Sequence, residues 1–268
     1  MRVASLPMYN FPEIQKASQS LWKGIAKYLR AEGVENVPTE LTFGQPIISL
    51  WSDPNLLFSQ CCGYDVVRRF KDKLIPLAVP HFEVDACIDG EYSSLIVVRE
   101  DSAHKDVLDM GGCIAAINGP ESHSGMSSLR HLVAPKQSNN RFFSDIMVSG
   151  THLDSISMVR AGFADVAAID CVTYTLLAAY NPEALEGVRV LGSTYHAPAP
   201  PYITNTLCDD EFPERLRTAL FRAFEDPDLA PARHALFLKK IEWIDIEAYW
   251  KVVEFEDYAA NLGFPVLQ

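Results

Sequence analysis

The sequence has few basic residues and no run of them. It holds 23 Lys and Arg against 35 Asp and Glu, so the formal net charge is −12 at pH 7. Nucleic acids and anionic membrane surfaces are bound through clustered Lys and Arg. We therefore expect neither as a partner, although backbone amides at a helix start can still attract a small anion.

Long apolar stretches are also missing. No run reaches the length of about 18 residues that a membrane-spanning helix needs. The first residues, MRVASLPMYNF, carry one Arg and only a short apolar stretch before Pro7, which does not match the apolar region of a secretory signal. The residues alone leave two interpretations open: a cytoplasmic protein, or a chain from which a signal segment has been removed.

Cysteine is sparse, with six residues among 268. That number is too low for a disulfide scaffold, and Cys61 and Cys62 are adjacent rather than spaced as C-x-x-C. The cysteine spacings give no zinc pattern either. We therefore expect free thiols, no metal site and no cofactor.

The chain has the composition of an ordinary globular protein, with 48% hydrophobic and 22% charged residues. Short apolar runs alternate with segments of helical periodicity in both halves of the sequence, which predicts parallel strands flanked by helices. Strands are predicted at residues 2–6, 39–43, 56–59, 74–79, 94–99, 113–117, 144–148, 165–169 and 188–191. Helices are predicted at residues 13–30, 46–52, 65–71, 103–110, 124–133, 152–161, 171–179, 212–224 and 244–261.

Because the alternation occurs twice, we predict an α/β protein with two lobes, each a mostly parallel sheet flanked by helices. The proline-rich stretch 197–202 ends this pattern, since proline is excluded from helix interiors and central strands. We expect the two helices that follow to return to the first lobe, and strands near Leu95 and Val190 to cross between the lobes as hinges. The predicted boundaries are residues 1–92 plus 195–268 for lobe 1, and 93–194 for lobe 2.

Ligands of open parallel sheets bind beyond the carboxyl ends of the strands. The candidate residues at those positions are Tyr9, Cys62, Gly63 and Tyr64 in the first half, and Ser122, His123, Ser124, Gly125, His152 and Asp170 in the second. The second set includes a helix start with two hydroxyls, an imidazole and a glycine, a combination that can cradle a phosphate-like oxyanion. An anion site is therefore predicted there.

Each polar candidate also has an ordinary structural explanation. Ser122 or Ser124 can be the N-cap of its helix, the commonest role of serine at that position. His152 can equally be a surface or cap residue. Asp170 ends an apolar strand, where a carboxylate is costly unless paired, and this favours a ligand-facing role.

The remaining candidates have alternatives too. Tyr9 and Tyr92 are, taken alone, ordinary core or surface aromatics. Cys62 can be a nucleophile, but it can also be a small buried apolar residue.

Six short segments occur in an order that resembles the phosphate- and phosphonate-binding periplasmic components of ABC transporters. They are SLPMYN at 5–10, SQCCGY at 59–64, YSSLIVVR at 92–99, SHSG at 122–125, SGTH at 149–152 and ADVAAID at 164–170. The resemblance covers nearly the whole chain. It implies a type II periplasmic-binding-protein fold, two α/β lobes hinged by two crossover strands, and a periplasmic location.

The resemblance also implies roles for individual residues. Ser122, His123, Ser124 and His152 would hold the phosphonate oxygens, and Tyr92 would line the cleft. Tyr9 and the loop from Cys62 to Tyr64 would face them from the other lobe. The sequence departs from the family at His123, where a small hydroxyl residue is usual, and in its Cys-Cys-Gly loop.

These observations predict a solute-binding protein that captures a small oxyanion between its lobes for ABC-type transport. We expect a small anionic ligand and an ABC permease as partners, no membrane insertion, and a monomer. Two alternatives stay open: a small-molecule enzyme on the same scaffold using His152, Cys62 or Asp170, and a sensor that passes ligand occupancy to a partner protein.

Overall fold

The computed structural model describes residues 2–206 and 211–268. Its strands, in chain order, are β1 (Val3–Ala4), β2 (Leu56–Gln60), β3 (Leu74–Phe82), β4 (Cys87–Ile88), β5 (Glu91–Tyr92), β6 (Ser94–Arg99), β7 (Ile114–Ile117), β8 (Asp145–Val148), β9 (Val166–Asp170), β10 (Val188–Ser193), β11 (Ala197–Pro198), β12 (Tyr202–Asn205) and β13 (Leu238–Glu242).

The α-helices alternate with these strands through most of the chain. They are α1 (Gln15–Ala31), α2 (Ile47–Trp51), α3 (Gly63–Val67), α4 (Ser128–Val133), α5 (His152–Ala161), α6 (Cys171–Tyr180), α7 (Phe212–Glu225), α8 (Ala230–Ala235) and α9 (Lys251–Asn261). Short 3₁₀ turns connect several of them, and a π-helical turn at His123–Ser127 precedes α4.

The chain divides into two units. The first contains Met1–Glu83 and Pro198–Tyr249, and the second contains Val84–Ala197 and Trp250–Gln268. The two-lobed α/β class predicted from the sequence is confirmed, although both sheets are mixed rather than mostly parallel.

The first unit is built on a sheet of order β1-β2-β12-β3-β13. The β1 strand runs parallel to β2, whereas β12 is antiparallel to both of its neighbours and β13 is antiparallel to β3. Helix α1 turns an apolar face towards this sheet, and Trp22 on that face stacks on Phe58 of β2 with ring centroids 5.6 Å apart. Burial of such apolar rings is the main driving force for packing α1 on the sheet.

The second unit is built on a sheet of order β10-β6-β9-β7-β8. The central β7 runs parallel to both of its neighbours, β8 and β9, so the carboxyl ends of the three strands lie along one edge of the sheet. The strands β6 and β10 are antiparallel to their neighbours. Leu129, Phe143, Val166 and Phe264 are among the fully buried side chains of its core.

The C-terminal segment differs from the sequence-based expectation. Residues 250–268, which were assigned to the first lobe, belong to the second unit, where Ala259, Phe264 and Leu267 enter the core. The strands near Leu95 and Val190 also lie within the sheet of the second unit. Periodicity identifies an apolar helix face, but it does not identify the surface that the face will cover.

Two strands in the proline-rich and C-terminal region were not predicted from the sequence. β12 is a central strand, because the prolines end at Pro201 and the following residues pair with β2 and β3 on both sides. A further strand, β13, lies between the last two predicted helices.

Two other predicted elements are absent. Residues 39–43 form no strand: the N–H of Thr42 donates to the carbonyl of Ala4 at 2.8 Å, and this single bond does not extend into a ladder. The helix predicted at 103–110 is reduced to a 3₁₀ turn at Val107–Asp109.

Candidate functional site

The candidate residues of the second half follow the three parallel strands of the second unit. Residues 122–125 come after β7, His152 begins α5 directly after the loop that follows β8, and Asp170 is the last residue of β9. The topology therefore places all of them at the carboxyl edge of one sheet, the position where ligands of such sheets bind.

Ser122 organises the helix start. Its backbone is extended, and its Oγ accepts a hydrogen bond from the backbone N–H of Gly125 at 3.0 Å. The next turn is π-helical, because the N–H of Ser127 donates to the carbonyl of Ser122 at 3.0 Å. Single π turns inside helices are rare and are enriched at functional sites.

Ser124 and His152 are joined directly. The Oγ of Ser124 lies 2.9 Å from Nε2 of His152, and the Oγ of Ser122 lies 3.5 Å from the Oγ of Ser124. Two hydroxyls and an imidazole thus form a continuous polar group at the start of two helices. The positive ends of both helix dipoles favour an anion at this place.

His152 is neutral at pH 7. Burial lowers the pKa of His152 to about 4, although a backbone hydrogen bond to Ala168 opposes this shift. The neutral imidazole has one donor and one acceptor nitrogen. It can therefore exchange hydrogen bonds with the Ser124 hydroxyl, and it can donate to an anion in the tautomer that carries a proton on Nε2.

Gly125 is held within the helix start and packs closely against Asn118. Its N–H is committed to Ser122, so it is not available to a ligand in this arrangement. A Cβ at this position would lie 1.9 Å from Oδ1 of Asn118. The glycine is therefore required for the close packing of Asn118 against the helix start.

His123 is buried among aromatic rings. Its side chain is 3% exposed, and its ring centroid lies 6.2 Å from that of Tyr92 and 5.3 Å from that of Phe255. Burial, assisted by His131, lowers the pKa of His123 to about 3. Among the described residues its Nδ1 has no hydrogen-bond partner. The structure places this histidine in the packing of the second unit rather than in the Ser124–His152 group.

Asp170 is the N-cap of α6. It is 2% exposed, and its side chain accepts a hydrogen bond from the N–H of Thr173 at 2.9 Å. This bond is one reason a carboxylate is tolerated there, since a buried charge needs compensating partners. Tyr92, which the resemblance had placed in the cleft, is 3% exposed.

The first-half candidates lie in the first unit. Tyr9 is buried and packs its ring edge to face against Phe82, with centroids 5.6 Å apart. A Cβ on Gly63 would lie 2.6 Å from Cδ1 of Tyr249, so this glycine admits a packed ring. Cys62, also buried, is the N-cap residue of α3 and makes no side-chain cap bond there, and Tyr64 is half-buried.

Sequence reasoning missed an aromatic cluster in the second unit. His131 stacks on Phe255 with centroids 4.3 Å apart and lies 4.5 Å from the ring of Tyr258 and 5.2 Å from that of Tyr195. The helical spacing of residues 255 and 258 on α9 was a signal of a shared face. It did not identify the partner, because α9 was assigned to the other lobe.

Within residues 2–206 and 211–268, no helix combines the length and apolarity that crossing a membrane requires. In the same part of the chain, no group of three or more His, Cys, Asp or Glu side chains is arranged to hold a metal ion.

Solved structures with the same fold extend over almost the whole chain. A binding-protein component of an ABC phosphonate transporter from Pseudomonas aeruginosa has a TM-score of 0.76 at 14% identity, covering 98% of this chain and 87% of its own. PhnD1 from Prochlorococcus marinus in complex with methylphosphonate has a TM-score of 0.73 at 14% identity, covering 98% of both chains. XAC2383 from Xanthomonas citri bound to ATP has a TM-score of 0.71 at 16% identity, covering 97% and 98%.

These likenesses define the class: the chain has the type II periplasmic-binding-protein fold. Residues 57–249 match the family of periplasmic substrate-binding proteins of phosphonate ABC transporters. Since this match covers well over half of the sequence, the chain belongs to that family. Comparison with curated protein sequences gave no match.

Family membership decides between the functional alternatives. Members are substrate-binding components of transporters, so the prediction of a binding protein rather than an enzyme is confirmed. The enzyme hypothesis built on His152, Cys62 or Asp170 receives no support from the comparisons.

Proposed function

We propose that this protein captures a phosphonate or phosphate anion in the periplasm and presents it to an ABC permease. The observation that carries the proposal is the contact between Ser124 and His152 at 2.9 Å, at two helix starts on the carboxyl edge of the β7-β8-β9 strands. The family supplies the class of ligand.

The three polar side chains suit a phosphoryl group. The hydroxyl of Ser122 accepts from Gly125 and keeps its own proton for donation. The Ser124 hydroxyl and Nε2 of His152 are bonded to each other in this structure. When a ligand binds, each can give up this shared bond and form a hydrogen bond to the ligand instead. Bonds to an anion are stronger than the neutral bond they replace, which favours binding.

The binding site is formed by neutral groups and helix ends, which suits reversible capture. The neutral His152 adds no fixed positive charge, so the ligand's charge is met by hydrogen bonds and helix dipoles. A transport protein has to release its ligand. Hydrogen bonds from neutral donors hold an anion less tightly than a buried ion pair would, so they allow this release.

A panel of anions tests the class of ligand. We expect methylphosphonate, 2-aminoethylphosphonate or inorganic phosphate to bind in isothermal titration calorimetry more tightly than sulfate or acetate. At one hundred times its dissociation constant the tightest ligand adds about 2.7 kcal/mol to the free energy of unfolding. ATP belongs in the panel, because XAC2383 was solved with it.

The panel has clear negative outcomes. Binding of acetate or sulfate in preference to every phosphoryl compound would contradict the proposal. Chromatography of the released ligand checks the mode of action: the compound is expected to be recovered unchanged, and its conversion into a product would instead support an enzyme.

A further inference from the structure

Two cysteines distant in the sequence meet in the second unit. Cys87 on β4 and Cys171 at the start of α6 are separated by 84 positions, yet their Sγ atoms lie 3.4 Å apart. The other described thiols differ in surroundings: Cys61 and Cys62 are neighbours in the chain, and Cys113 lies 3.7 Å from Nε2 of His104.

The backbone around both cysteines brings the two thiols together. The β4 and β5 strands form a hairpin in which Cys87 pairs with Tyr92. The N–H of Cys171 donates to the carbonyl of Ser93 at 3.1 Å, and its Sγ lies 3.7 Å from the carbonyl of Ala86. The hairpin and the start of α6 are thus joined by contacts on both sides of the sulfur pair.

We propose that Cys87 and Cys171 form a disulfide in the mature protein. The proposal takes the periplasmic location from the proposed function, because disulfides persist in that compartment and are rare in the cytosol. The sulfur distance of 3.4 Å has to close to about 2.05 Å when the bridge forms. In the structure both thiols are free, as the composition predicts, and the proposal concerns their oxidation.

The oxidant is a small or protein disulfide, and the reaction is thiol–disulfide exchange. Cys87 is the more exposed partner and attacks the oxidant, forming a mixed disulfide and releasing one thiol. Cys171 then attacks Sγ of Cys87, its proton passes to the departing thiolate, and the second thiol of the oxidant leaves. Two protein thiols are oxidised and one disulfide is reduced to two thiols.

The order of attack follows from the surroundings of the two sulfurs. The hydrogen bond with Cys87 and burial raise the pKa of the Cys171 thiol far above its usual value, so it is not the group that meets the oxidant first. The finished bridge would tie the β4-β5 hairpin to the residue after Asp170. The covalent loop closed by the bridge would run from residue 87 to residue 171. This loop contains the strands β6 to β9 and the residues Ser124 and His152.

Peptide mapping of the full chain tests the bridge. The reduced protein is incubated with oxidised glutathione, unfolded in iodoacetamide and digested. We expect two of the six thiols to escape alkylation, a peptide that joins Cys87 to Cys171, and a melting temperature about 5 to 10 °C above that of the reduced protein.

Matched variants assign the effect. C87S and C171S are each expected to lose the linked peptide and the redox-dependent shift in melting temperature, whereas C113S keeps both. Full alkylation of Cys87 and Cys171 after oxidation, a linkage of Cys61 to Cys62 in their place, or a lasting glutathione adduct on Cys87 would overturn the proposal. Because the assay contains no phosphonate, its outcome is independent of the anion panel.

Discussion

Burial keeps the two histidines of the SHSG and SGTH segments neutral at pH 7. The pKa of His123 falls to about 3 and that of His152 to about 4, from an ordinary value near 6.5. In both cases desolvation of the charged ring is the largest cause. The unfolded chain therefore binds more protons than the folded one between these values and pH 6.5. Their contribution to stability is complete above pH 6.5 and is lost as the pH falls towards 4 and 3.

Replacing His123 by Phe is expected to flatten the pH dependence of stability. The phenyl ring fills the space between Tyr92 and Phe255 without a titrating group. Going from pH 7 to pH 5, the wild type should lose about 2 kcal/mol more of its free energy of unfolding than H123F. Urea denaturation at both pH values measures the difference.

Two comparisons control this experiment. H234Q changes an exposed histidine of the first unit and should follow the wild type. H123F should also retain ligand affinity, since His123 packs against Tyr92 and Phe255 and has no bond to Ser124 or His152. An identical pH profile for H123F and the wild type would refute the account of this side chain, and a loss of affinity would restore its predicted role in the binding site.

For individual residues, the sequence predicted which side chains lie close together better than it predicted whether each binds a ligand or caps a helix. The strand order placed Ser124 and His152 at the carboxyl ends of neighbouring strands, the resemblance gave them a shared ligand, and the structure joins them at 2.9 Å. Ser122 is an N-cap, the ordinary alternative weighed for it, and Asp170 is an N-cap too, although the sequence favoured a ligand-facing role for that carboxylate. A cap and an anion contact use the same atoms, so the residue pattern alone could not separate them.

At the scale of elements, the start of the SHSG helix depends on a glycine that makes room for an asparagine. A Cβ added at position 125 would lie 1.9 Å from Oδ1, 2.9 Å from Cγ and 3.3 Å from the backbone N of Asn118. One of these atoms is backbone, so rotation of the Asn118 side chain cannot relieve the whole conflict.

G125A is therefore expected to destabilise the protein by about 1 to 3 kcal/mol, the usual cost of overpacking. G119A is the matched control, since nothing lies within 4 Å of a Cβ at that position, and its effect should stay within about 0.5 kcal/mol. Adding N118A to G125A should recover part of the loss. Equal stabilities of G125A and G119A in urea denaturation would contradict this explanation of the glycine.

Local patterns predicted elements well where one chemical signal decided the outcome. Helix α5 has the predicted bounds, because Thr151 caps its start and Gly162, with φ of 77°, ends it. The strands β12 and β13 were missed because their pairing depends on distant strands, β12 follows prolines, and β13 contains three charged residues. Non-local pairing leaves little trace in a short window of sequence.

At the scale of the whole molecule, the sequence predicted two α/β units but not the path of the chain between them. The chain passes from one unit to the other after Glu83, after Ala197 and again after Tyr249. The last passage was not foreseen, because α9 is amphipathic and either unit could have received its apolar face. The buried Phe264 places this segment in the core of the second unit.

The central claim is that a phosphonate binds at Ser124 and His152. Calorimetric titration of methylphosphonate into the wild type, S124A and H152A tests it most directly. S157A is the serine control, because the Oγ of Ser157 donates to the carbonyl of Leu153 within α5. Each charge-assisted hydrogen bond contributes about 1.5 to 3 kcal/mol, so S124A and H152A should each weaken binding by about tenfold to a hundredfold while S157A leaves it unchanged. Wild-type affinity in both S124A and H152A, with unchanged melting temperatures, would contradict the claim.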